Sequence, residues 1–136
     1  MSSIATLLRA LQFLAHRAHN VIKGPTFFED HKFLGKLYPD YEAAYDDIIE
    51  RIIGHGTETI SISKINKTAA EMSSVSPDET KADAFLRIIL KGEKDLCALI
   101  EKAAPKATQG TQNLLQGICD NSEKRQYQIK QRLSLS

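Results

Sequence analysis

Four histidines, His16, His19, His31 and His55, and an acidic run from Asp40 to Glu50 carry the clearest chemical potential in this 136-residue chain. The run holds five carboxylates and no lysine or arginine. Imidazole nitrogens and carboxylate oxygens together suit Fe2+ or a similar divalent ion. Asp46 and Glu50 are four residues apart, so on a helix they share one face. The same residues also fit a blander picture, a solvated acidic helix face with histidines packed near a helix junction. Residue types alone leave both open.

Other chemistries lack their residues. A di-iron centre inside one bundle needs Glu-x-x-His on paired helices. The positions three before the four histidines are Phe13, His16, Phe28 and Ile52, so the motif is absent. Nothing matches a nucleophilic triad motif, a P-loop or a dinucleotide fingerprint, which leaves organic-cofactor catalysis unsupported. Cys97 and Cys119 fall in helical patterns at no metal-ligand spacing and read as buried free thiols.

The elements that must position these residues are helical throughout. Ile4, Leu7, Leu8, Leu11, Leu14, Ala15, Ala18 and Ile22 recur at three-and-four spacing, predicting a helix from Ser2 or Ser3 to the Gly24-Pro25 break. Thr26 and Glu29 read as a capping box opening a second helix. It runs past Pro39, which should kink it opposite Gly35, and stops at Gly54-His55-Gly56. Ile62 to Met72 predicts a short connecting helix. Ser76-Pro77-Asp78-Glu79 looks like the start of a third long helix, weakened by Gly92 and ending before Pro105. A fourth begins near Thr108. Period-two alternation is absent, so the expectation is one all-α domain over residues 1–136, a four-helix bundle with a short helix in the crossover between helices two and three.

Charge and hydropathy narrow the partners. Eighteen basic residues against seventeen acidic ones give a net charge of +1, without a global basic field for nucleic acid. The one terminal basic concentration is Lys124, Arg125, Lys130 and Arg132, so DNA binding is expected to be weak or absent. No apolar run is long enough to span a membrane. The N-terminal apolar stretch is broken by Arg9, Gln12 and His16 and lacks a preceding positive region, unlike a secretion signal. A cytoplasmic location is the resulting expectation.

Three segments carry a resemblance. His19-Asn-Val-Ile-Lys-Gly-Pro-Thr-Phe-Phe-Glu-Asp-His31 resembles the Dps (DNA protection during starvation) pattern, in which a His-Trp-Asn-Val-x-Gly-Pro-x-Phe run leads to a second histidine. Tyr45-Asp46-Asp47-Ile48-Ile49-Glu50-Arg51 is similar to the family's Asp-x-Ile-Ala-Glu-Arg. Thr111-Gln-Asn-Leu-Leu and Glu123-Lys124 resemble blocks of its last helix, with Tyr127 where tryptophan is usual. The resemblance implies a ferritin-like, Dps-like bundle that builds a dodecamer from dimers. It further implies a ferroxidase that oxidises Fe2+, stores the iron and limits oxidative damage. By the same resemblance the metal ligands are His19 and His31 of one subunit with Asp46 and Glu50 of its two-fold neighbour, binding iron, with Zn2+ possible at the same site. The remaining ligand position falls on Gly35, which has no side chain, and Asn20 replaces the tryptophan beside the first histidine.

Distance supports sharing. His31 and Asp46 are fifteen residues apart, roughly 22 Å along one helix, too far for one ion. If they are co-ligands, they meet across two antiparallel copies of the second helix. Two other functions remain open: a Dps-like shell or metal buffer that has lost catalysis, and a helical interaction module whose acidic face binds a partner.

Overall fold

The computed structural model describes residues 1–135. Five α-helices follow in order: α1 (Ser2–Val21), α2 (Phe27–His55), α3 (Ile62–Met72), α4 (Ala82–Ala103) and α5 (Gln109–Leu133), with a 3-10 turn at Ala104–Lys106 before α5. No β-strand forms among the described residues. One isolated bridge pairs Lys23 with Lys81.

Periodicity explains the packing. The apolar stripe of α1, from Ile4 through Leu8, Leu11 and Ala15 to Ala18, lies at most 3% exposed and packs against α2, α3 and α4. Short connections make α1–α2 and α4–α5 helical hairpins, and the crossover between them carries α3 along α1. Leu34, Tyr41 and Ile48 of α2, Phe85 and Leu96 of α4, and Leu115 and Ile129 of α5 are fully buried between the hairpins. Each of the aliphatic and phenylalanine side chains stabilises the bundle by about 1.5–3 kcal/mol through burial.

The ends of the helices meet the sequence expectations unevenly. Ser61 and Thr108 cap α3 and α5, accepting from the amides of Lys64 and Thr111 at 3.3 Å each. Thr26 stands at the N-cap of α2 but makes no cap bond; its hydroxyl donates instead to Asp30 Oδ2 at 2.7 Å, so the expected capping box does not form. Pro39 leaves α2 continuous from Phe27 to His55, which ends on left-handed Gly56 at φ 61°.

The largest departure is the start of α4, at Ala82 rather than Ser76. Ser76-Pro77-Asp78-Glu79 folds as a turn, with the Ser76 carbonyl accepting from Glu79 N at 3.1 Å and from Arg17 of α1 at 2.8 Å. Glu79 then caps the amides of Thr80 and Lys81, both at 3.1 Å, while Lys23 N bonds the Thr80 carbonyl at 2.9 Å. Tertiary partners thus outbid a local start signal and pin the segment beside the α1–α2 turn.

Gly92 also acquires a tertiary reason. A Cβ there would sit 2.6 Å from Leu11 Cδ2, so the glycine lets α1 close on α4. Three ion pairs made by two arginines fix the hairpins: fully buried Glu93 takes two bonds from Arg125, at 2.6 and 3.1 Å, and Arg132 bonds Asp30 and Asp83 at 2.8 and 3.0 Å. Cys97 and Cys119, expected as buried thiols, are both partly exposed and face each other across α4 and α5.

Candidate metal centre

His19 lies in the last turn of α1 and His31 in the second turn of α2. The turn between them folds back through extended Ile22 and Gly24, whose φ of 130° suits a residue without Cβ. The two rings stack at 3.8 Å with planes 13° apart. Their hydrogen bonds are reciprocal: His19 Nδ1 to the His31 carbonyl at 2.8 Å, and His31 Nδ1 to the His19 carbonyl at 2.7 Å. A carbonyl only accepts, so each Nδ1 carries a proton, and of the two neutral tautomers the bonds select the one with its lone pair on Nε2. Among the described residues neither Nε2 has a protein hydrogen-bond partner. A locked tautomer with one nitrogen free is the usual preparation of a histidine ligand.

The pair belongs to a longer aromatic column. Phe27 stacks on His31 at 4.9 Å, Tyr38 tilts against His19 at 5.4 Å, and exposed His16 stacks on Tyr38 at 4.1 Å. His31, Gly35 and Tyr38 follow at helical spacing along one face of α2. A Cβ on Gly35 would meet His19 Cε1 at 2.9 Å and Nδ1 at 3.1 Å. Position 35 therefore borders the histidine pair, and the bare glycine lets the His19 ring lie against α2.

Asp46 and Glu50 sit together on the exposed face further along α2. The Asp46 carboxylate beside it pushes the Glu50 carboxyl above its usual range, with a smaller push from Asp47. Neighbouring like charges of this kind favour a cation that neutralises them. The structure brings His19 to His31 and Asp46 to Glu50, but not one pair to the other. Among the described residues no three His, Cys, Asp or Glu side chains gather to hold a metal ion within one chain. His55 stands apart at the end of α2.

Asp30 looks available in sequence but is committed. It is 3% exposed and bonded to Arg132 Nε at 3.0 Å, Arg132 Nη2 at 2.8 Å and the Thr26 hydroxyl. Tyr38 was missed as a support for His19, although its spacing from His31 and Gly35 signalled the shared face.

The ferritin-like domain profile matches residues 4–135, so the chain belongs to the ferritin-like domain family. DNA protection during starvation protein 2 of Bacillus anthracis is 26% identical over 119 residues, 85% of this chain and 81% of that protein. Among solved structures, a histidine-to-glycine variant of Listeria innocua Dps superposes with a TM-score of 0.82 at 16% identity, covering 99% of this chain and 96% of that one. Dps from Listeria monocytogenes gives 0.82 at 18% identity, covering 99% and 90%. The Dps-like resemblance read in the sequence is matched by this relative and by the all-α fold. No helix among the described residues is long and apolar enough to cross a membrane.

Proposed function

We propose that this chain is a Dps-like cage subunit that takes Fe2+ as substrate at a site shared by two copies, oxidises it and stores the product. The observation that carries the reading is the reciprocal His19–His31 lock, which spends both Nδ1 protons on backbone carbonyls and leaves both Nε2 atoms to bind. Asp46 and Glu50 of a two-fold-related copy would add two anionic oxygens, a borderline N2O2 set suited to Fe2+ or Zn2+. Gly35 adds no donor, so water completes the shell and one ion binds firmly per site. Each peroxide accepts electrons from two ferrous ions, giving two ferric ions and, with two protons, two waters. Retaining that iron in a hollow dodecamer would remove the reactants of Fenton chemistry. The whole of residues 1–136 acts as one such domain, cytoplasmic and with weak or no affinity for DNA.

A second reading, a metal-buffering shell without catalysis, is favoured by Gly35, which supplies no ligand where the resemblance places one. Anaerobic Fe2+ titration followed by peroxide mixing separates the two. The ferroxidase reading expects saturable Fe2+ binding and ferric iron forming faster than in protein-free buffer. Binding without acceleration supports the buffer; no binding defeats both. Light scattering tests the cage, which a mass near that of the 15.2 kDa subunit would reject.

A further inference from the structure

Cys97 and Cys119 meet on the partly exposed seam between α4 and α5, with their sulfurs 3.0 Å apart. Their meeting is held by the register of the two helices. Cys97 lies one turn beyond Glu93 on α4, and Cys119 lies one turn before Ser122 on α5. Ser122 Oγ donates to the Glu93 carbonyl at 3.2 Å, and Arg125 grips the Glu93 carboxylate with two bonds. Neither helix can slide without breaking that buried set.

The two sulfurs are not equivalent. Cys97 Sγ accepts from Cys119 Sγ–H and faces Gln126 Nε2 at 3.6 Å, so two donors point at it. Cys119 lies near the Glu123 carboxylate, at 4.0 Å. Burial first, then Cys97, Glu123 and Glu101, pushes its thiol up to about 12. Donors stabilise a thiolate and carboxylates oppose one. Cys97 is thus placed to attack and Cys119 to resolve.

We propose that Cys97 and Cys119 form a peroxide-oxidised dithiol that closes to a reversible disulfide between α4 and α5 of one subunit. The Cys97 thiolate attacks a peroxide oxygen, the O–O bond breaks, and Cys97 becomes a sulfenic acid as hydroxide leaves and takes a proton. Cys119 sulfur then attacks the Cys97 sulfur, the S–O bond breaks and water leaves with the Cys119 proton. In total two thiols and one hydrogen peroxide give one disulfide and two waters. The sulfurs must close by about 1 Å to reach bonding distance, a small side-chain motion. A thiol reductant reverses the reaction. This dithiol is independent of the histidine site and needs no iron.

The test treats reduced, metal-free full-length protein with hydrogen peroxide, then alkylates and digests it with trypsin for mass spectrometry. The proposal expects residues 95–102 joined to residues 107–124, two hydrogens lighter than the sum, and released by dithiothreitol. On a non-reducing denaturing gel the oxidised chain stays at the single-chain position. Two alkylated cysteines, separate sulfinic acids or disulfide-joined chains would each overturn it. Single variants test the order of attack. Cys119→Ser should leave a dimedone-reactive sulfenic acid at Cys97, and Cys97→Ser should leave none at Cys119; the reverse pattern would overturn the assignment.

Discussion

A Cβ on Gly35 would press 2.9 Å from His19 Cε1, against a ring already fixed by stacking on His31 and by its bond to the His31 carbonyl. Gly35→Ala should therefore swing His19 out of the stack. It should weaken Zn2+ binding by roughly 10-fold or more, as loss of a ligand's orienting contacts does. The substituted helix itself should gain by up to ~1 kcal/mol of propensity. Calorimetric titration of both proteins reads the first effect, and unchanged affinity would mean the His19 lock is irrelevant to binding. The sequence made the approach of His19 and His31 legible, because a short turn between two helices leaves them little choice. The lock was not legible, since it depends on where two backbone carbonyls point. The pairing of the two thiols was not legible for a related reason: 22 residues apart on different helices, they meet only through the α4–α5 register.

Among the helices, Gly92 and Gly117 make opposite forecasts from one substitution. Gly92→Ala puts a methyl 2.6 Å from Leu11 Cδ2 in the α1–α4 contact, whereas a Cβ on Gly117 meets nothing within 4 Å. Overpacking costs about 1–3 kcal/mol and exceeds the propensity gain at position 92, so that variant should be less stable. Gly117→Ala should be more stable by about 0.5–1 kcal/mol. Urea unfolding compares them, and a stabilised Gly92→Ala would show that Leu11 yields freely. Apolar periodicity located every long helix, because burial of a stripe leaves the same trace whatever the neighbours. The opening of α4 was misread because its start is decided by Arg17 and Lys23, residues of another hairpin.

Across the whole bundle, the Glu93–Arg125 pair binds α4 to α5 beside buried Tyr41. Burial raises the Glu93 carboxyl above the ordinary 4.5, and Arg125 offsets part of that rise. Arg125→Met removes the offset and should cost about 3–5 kcal/mol at neutral pH by leaving the buried carboxylate unpaired. A carboxyl raised further in the folded chain is more protonated there than in the unfolded chain. The stability it allows is greatest below the unfolded value and falls as pH rises through the folded one. The variant should therefore lose more stability, relative to the parent, at about pH 8 than at about pH 5. Denaturant melts at both values check this, and a pH-independent loss would show that removing Arg125 leaves the titration of Glu93 unchanged.

The central claim is that the histidine pair of one copy and the Asp46–Glu50 pair of another make one iron site. The most direct measurement is Fe2+ or Zn2+ stoichiometry in heterodimers of His31→Ala and Glu50→Ala chains, isolated through two different affinity tags. In such a dimer one shared site loses a ligand from each half and the other keeps all four ligands. The account predicts no firm ion in either variant alone and one ion per heterodimer. A firm ion retained by either single variant, or none in the heterodimer, would contradict it.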